Sequence, residues 1–158
     1  MPSPRSPASP ARQLAGFIAK FDAAMAKRIR AARAALRKRL PTAFELVYDN
    51  YNFFVIGYGP TERASDAIVS LACNSKGFGL CFIYGAKLPD PQGILLGSGN
   101  QTRFIRLESA VTLRAPAVEA LLRAAIARAK TPLPRTGRGG TVIKSVSAKQ
   151  RPRIARPR

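Results

Sequence analysis

Phe53-Phe54-Val55-Ile56-Gly57-Tyr58, Ala67-Ile68-Val69-Ser70-Leu71-Ala72-Cys73 and Phe78-Gly79-Leu80-Cys81-Phe82-Ile83-Tyr84 are the runs whose reading decides the fold. Each is strand-sized, rich in β-branched and aromatic residues, and bounded by turn formers. Gly59-Pro60-Thr61-Glu62-Arg63 parts the first two, and Asn74-Ser75-Lys76-Gly77 parts the second two. Consecutive antiparallel strands follow from such short connections. A looser stretch, Gly85–Asn100, carries Pro89, Pro91 and four glycines, and a fourth strand is expected at Gln101–Glu108.

Outward from these runs the apolar period changes from strand to helix. From Ala11 to Arg39, the residues Leu14, Ile18, Phe21, Met25, Ile29, Ala32 and Leu36 recur at three- or four-residue steps. That spacing makes one stripe on a helix, with Lys20, Lys27, Arg30, Arg33, Arg37 and Lys38 mostly opposite it. Alanine fills much of the remainder and favours helix. Pro41 ends the run at Leu40. A short second helix is expected at Thr42–Asp49, with Thr42 as cap and Glu45 at the capping-box position. Ala115–Ala129 reads as a closing helix with Pro116 near its start. The expected fold is therefore α+β, a four-stranded antiparallel sheet covered on one face by a long N-terminal helix, a short helix and a C-terminal helix. Residues 1–10 read as a flexible arm, 11–130 as a single domain, and 131–158 as a basic, Pro/Gly-rich tail. Within that tail, residues 141–147 are β-prone and form a candidate edge strand.

The net charge of +19 is unevenly placed. Residues 1–40 carry +9, residues 131–158 carry +8 without one acid, and the stretch between carries +2. A polyanion such as nucleic acid would meet the helix and tail first, through Arg30, Arg33 and Arg37, then Lys144, Lys149, Arg151, Arg153, Arg156 and Arg158. The plain alternative is an Arg/Ala-rich chain that solvates its helix face with arginine.

Chemistry is conspicuous by what the sequence lacks. It holds no histidine, and no nucleophile elbow, Walker loop or dinucleotide fingerprint, so no enzyme and no cofactor is expected. Cys73 and Cys81 without histidine make no typical zinc site. With a turn at Asn74–Gly77, Cys73 falls beside Phe78 and Cys81 beside Ser70, too far apart for a disulfide. Glu45/Asp49 and Glu62/Asp66 are carboxylate pairs at i,i+4, read as solvated faces and not metal ligands. Gly97-Ser98-Gly99-Asn100 followed by Arg103 and Arg106 is the best small anion site, with glycine N–H groups and guanidinium forks at hand. The competing reading is a strand-entry loop with exposed arginines. The tyrosines and phenylalanines from Tyr48 to Tyr84 are assigned to core packing, because the basic residues are not interleaved with them. No apolar run approaches the ~20 residues that span a bilayer. Met1–Pro10 has no apolar stretch of the secretory kind. The acid-free segment to Phe21 has the composition of a presequence, but the prolines at 2, 4, 7 and 10 oppose a helix there.

Glu45–Asn52, Gly57-Tyr58-Gly59-Pro60 and Gly97-Ser98-Gly99-Asn100 with Arg103 resemble, in order and spacing, the YdhG-like family of small bacterial domains. The resemblance spans roughly residues 14–130 and extends to the tail motif Ile143–Arg153. It implies an α+β fold and a bacterial cytoplasmic setting, and it carries no assigned chemistry. One branch is similar to frataxin-type iron chaperones, whose acidic surfaces hold iron; the helices here are basic. Relatives often place a histidine where Phe104 stands. Two expectations follow: a non-enzymatic module docking on nucleic acid through helix and tail, or a domain that takes a small anion or a protein partner in a crevice near Gly97–Arg106.

Overall fold

The computed structural model describes residues 8–156. The expected arm at residues 1–10 mostly lies outside them. Ser9 already caps helix α1 (Pro10–Ile18), its hydroxyl accepting from the Arg12 N–H. The long helix expected at 11–39 is two helices. The chain turns after Ile18, and Asp22 opens α2 (Ala23–Arg39) by accepting from the Met25 N–H at 2.8 Å. An Asp cap satisfies an orphan donor that an uninterrupted helix would not have. The apolar stripe survives the break: Leu14, Ile18, Phe21, Met25, Ile29, Ala32 and Leu36 are all buried.

The larger correction concerns the sheet. Among the described residues it has six strands in the order β5-β4-β3-β2-β1-β6, not four, and one neighbouring pair is parallel. The segment expected as a short helix at Thr42–Asp49 is strand β1 (Phe44–Asp49). Its Phe-Glu-Leu-Val-Tyr-Asp sequence puts aromatic and β-branched groups on both sides of a pleat, and pairing with β2 outweighs the local capping signal. The three deciding runs are β2 (Phe54–Gly59), β3 (Val69–Asn74) and β4 (Gly77–Phe82), and β5 (Arg103–Leu107) is the expected fourth strand. These five strands form an antiparallel meander. Helix α3 (Pro116–Ala127) follows, with proline in its first turn. The chain then returns as β6 (Thr141–Val146), parallel to β1. The candidate edge strand at 141–147 is thus β6, at the edge of the sheet beside β1. Just before β6, the Gly139 N–H donates to the Pro41 carbonyl, and a Cβ there would overlap the Ala43 carbonyl.

The hairpin register places Cys73 opposite Phe78 and Cys81 opposite Ser70, as the turn at Asn74–Gly77 requires. Both thiols are free and lie on opposite faces of the sheet. Burial holds the Cys73 thiol far above the usual thiol range. One face of the sheet presents Val47, Phe54, Ile56, Leu71, Leu80 and Ile105 to the three helices, making a single apolar cluster. The rings of Phe17 and Phe21 pack on Phe54 at centroid distances of 6.3 and 6.0 Å. No helix among the described residues is long and apolar enough to cross a membrane.

Candidate functional site

Strand geometry puts Glu45, Val47 and Asp49 on the same face of β1, the face the helices cover. Two carboxylates thus enter the apolar layer, 1% and 0% exposed. Such burial requires compensating donors for each charge. Glu45 has them in full. Arg33 donates from Nε and Nη2 to its two oxygens at 2.9 Å each, and Arg37 Nη1 approaches Oε1 at 2.6 Å. The Tyr58 and Thr141 hydroxyls donate at 2.9 and 2.8 Å. Asp49 receives Lys20 Nζ at 2.7 Å on one oxygen and Arg153 Nη2 at 2.9 Å on the other. Arg153 Nη2 also reaches the Asn50 carbonyl at 2.6 Å, and Gln150 Nε2 reaches the Asp49 carbonyl at 2.7 Å.

These contacts set the protonation states. Burial pushes the Glu45 carboxyl up, but the Arg33 hydrogen bonds and charge outweigh it and hold the group below its ordinary value. Asp49 follows the same pattern, with Lys20 and then Arg153 outweighing burial. Arg33 is raised by its Glu45 hydrogen bonds, and Tyr58 is raised well above the usual phenol value by burial and by Glu45. The arrangement is built to hold. Both oxygens of each carboxylate are occupied, so neither is poised to exchange protons with a substrate. Its mechanical effect is to bring the basic helix against the basic tail, since Glu45 accepts from α2 and from the first residue of β6 together. Among the described residues, no three His, Cys, Asp or Glu side chains gather into a metal-binding group.

The residues expected to meet a polyanion divide accordingly. Arg33 and Arg37 are committed to Glu45, and Arg153 is buried on Asp49, so these three are structural cations. Arg30, Lys144, Lys149, Arg151 and Arg156 are exposed, and Arg158 lies outside the described residues. Lys144 donates to the Glu62 carbonyl, and the Arg151 guanidinium lies 5.5 Å over the Tyr51 ring. The loop Gly97-Ser98-Gly99-Asn100 is exposed, with Gly97 at φ +111°. Arg103 donates to the Gly99 carbonyl, and at 2.9 Å to that of Thr102, so the loop turns acceptors toward the guanidinium. Arg103 and Arg106 stand on opposite faces of β5, opposite Phe82 and Gly79. They do not converge on one anion.

Lys20, Tyr58 and Thr141 complete the polar centre that Glu45 and Asp49 form with Arg33, Arg37 and Arg153, and no sequence spacing joins them. The legible signal was the i,i+4 spacing of Glu45 and Asp49, which a strand also places on one face. Comparison with protein-family models, with curated proteins and with solved structures finds no match to this chain.

Proposed function

We propose that this protein is a non-enzymatic module that docks on nucleic acid through a cationic flank made of α2 and the β6 tail. One observation carries the reading: Glu45 and Asp49 draw acid into the interior while fastening helix and tail side by side. Among the described residues, only Asp22, Glu62 and Glu108 remain as exposed acids, whereas most of the lysines and arginines are exposed. On the α2 wheel, Lys27, Arg30 and Lys38 lie outward beside Arg33 and Arg37, and the tail adds Lys149, Arg151 and Arg156. Such a surface contacts phosphates by releasing counterions, without reading sequence.

The YdhG-like assignment and a bacterial cytoplasmic location belong to the same proposal. Iron delivery does not, because the outward helix face carries cations where carboxylates would be needed. The test is fluorescence anisotropy of a labelled 20-base-pair duplex and a single-stranded RNA from low to moderate salt. Tight binding to both is expected, with log K falling linearly in log salt. Absence of binding at low salt would overturn the reading.

A further inference from the structure

A cavity of about 360 Å³ opens beside the end of α3, with no residue of α2 or β6 in its lining. Its volume falls within the ordinary range for small-molecule sites, roughly 300–1,000 Å³. Ile68, Phe82, Leu88 and Ala125 give it an apolar wall, and Lys87, Arg128 and Lys130 stand among its lining residues. Asp66 is the one acid lining it, and its carboxylate accepts from the Thr61 hydroxyl at 2.7 Å. Two contacts hold the walls in place. Tyr84 donates its hydroxyl to the Ser65 carbonyl at 2.6 Å, and Arg128 Nη1 donates to the Lys87 carbonyl at 2.9 Å. Among the described residues, neither the Lys87 nor the Lys130 ammonium has an ion-pair partner.

We propose that this cavity binds a small amphipathic anion, an organic molecule with an apolar body and a carboxylate or similar head. Ile68, Phe82, Leu88 and Ala125 would take the body out of water, which rewards apolar area and nothing else. The free ammonium groups would take the head, because ionised partners make the stronger hydrogen bonds. A neutral apolar ligand would leave Lys87 and Lys130 unused, and a cation would meet three like charges. The site is independent of nucleic-acid docking, whose cations lie on α2 and the tail.

Octanoate and octan-1-ol, matched in body and differing in charge, are the probes. Calorimetry on the full chain is expected to show one saturable octanoate site, with octanol weaker by about tenfold. Amide shifts in a ¹⁵N spectrum of the wild-type chain should centre on Ile68, Phe82 and Ala125. Lys87→Gln with Lys130→Gln should bring octanoate down to the octanol level and leave octanol unchanged. Lys76→Gln, at the opposite end of the β3–β4 hairpin, should retain the preference. Ala125→Phe should abolish both ligands, and if that variant does not fold, the wild-type shift map decides. Shifts centred elsewhere, no saturable binding, or a preference that survives the double lysine change would each overturn the proposal.

Discussion

Glu45 and Asp49 show how much one residue's environment can matter. Each is a charge taken out of water, tolerable only because two cations and further donors meet it. Removing one side of such a pair costs about 3–5 kcal/mol when both partners are buried. Arg33 and Arg37 keep 24% and 39% of their side-chain surface exposed, so Glu45→Gln is expected at the low end, about 3 kcal/mol by chemical denaturation. The pH dependence has a definite sign. Both carboxyls ionise below their ordinary values of 4.5 and 3.8, so the unfolded chain binds protons first as the pH falls. Their contribution is complete above those ordinary values and is lost as the pH drops through the lower, folded ones. The melting temperature should hold from neutrality to about pH 5 and fall beneath it. Glu45→Gln should melt lower at neutral pH and show a shallower acid fall; an acid limb identical to wild type would exclude Glu45 as its source. Arg153 presents the converse problem, since its Nε and Nη1 are buried with no partner among the described residues. Arg153→Met therefore relieves one cost while leaving Asp49 to Lys20 alone. Combined with Asp49→Asn it should cost less than the two single changes added, a coupling of about 1–3 kcal/mol. Strict additivity in that cycle would mean the pair does not interact.

At the scale of elements, the parts legible in the sequence were those decided by near neighbours. The strands at 53–58, 67–73 and 78–84 and the helix at Ala115–Ala129 all sit within two residues of where composition and period put them. Strand β1 misled because Thr42 and Glu45 have the spacing of a capping box, and the pairing that overrules it comes from β2, beyond the turn at Asn50–Phe53. The break at Ala19–Asp22 was hidden because the apolar stripe runs straight through it, although Asp22, the lone acid of the first forty residues, was its signal. The polar site was least visible. Glu45 depends on residues at 33, 37, 58 and 141, and Asp49 on residues at 20 and 153, partners that only the folded chain assembles. Three expectations test the elements directly. Phe21→Ala, truncating a ring packed on Phe54, should cost about 3 kcal/mol, and a chain begun at Pro41 should not fold. Deletion of 131–158 removes β6, Thr141 and Arg153 together, so it should lower the melting temperature markedly. An unchanged melting temperature would return the tail to the status of an appendage.

For the whole molecule, +19 has two separable meanings. Lys20, Arg33, Arg37 and Arg153 neutralise acids that the fold has buried, and Arg39 pairs with Glu119 at 2.8 Å. These cations belong to stability. Among the described residues, the exposed ones on α2 and the tail pair with no acid. Mutating Arg153 in a binding experiment would thus confuse unfolding with lost contact, and the informative changes are Lys149→Gln, Arg151→Gln and Arg156→Gln made together. The matching set on the helix is Lys27→Gln, Arg30→Gln and Lys38→Gln. The decisive measurement is the slope of log K against log salt for duplex DNA, since each phosphate contact contributes about −0.9. The tail triple is expected to flatten that slope by about 2.7 units, the helix triple by a similar amount, and the two losses to add, with melting temperatures unchanged. A slope left as steep in the tail triple as in wild type would contradict the shared flank.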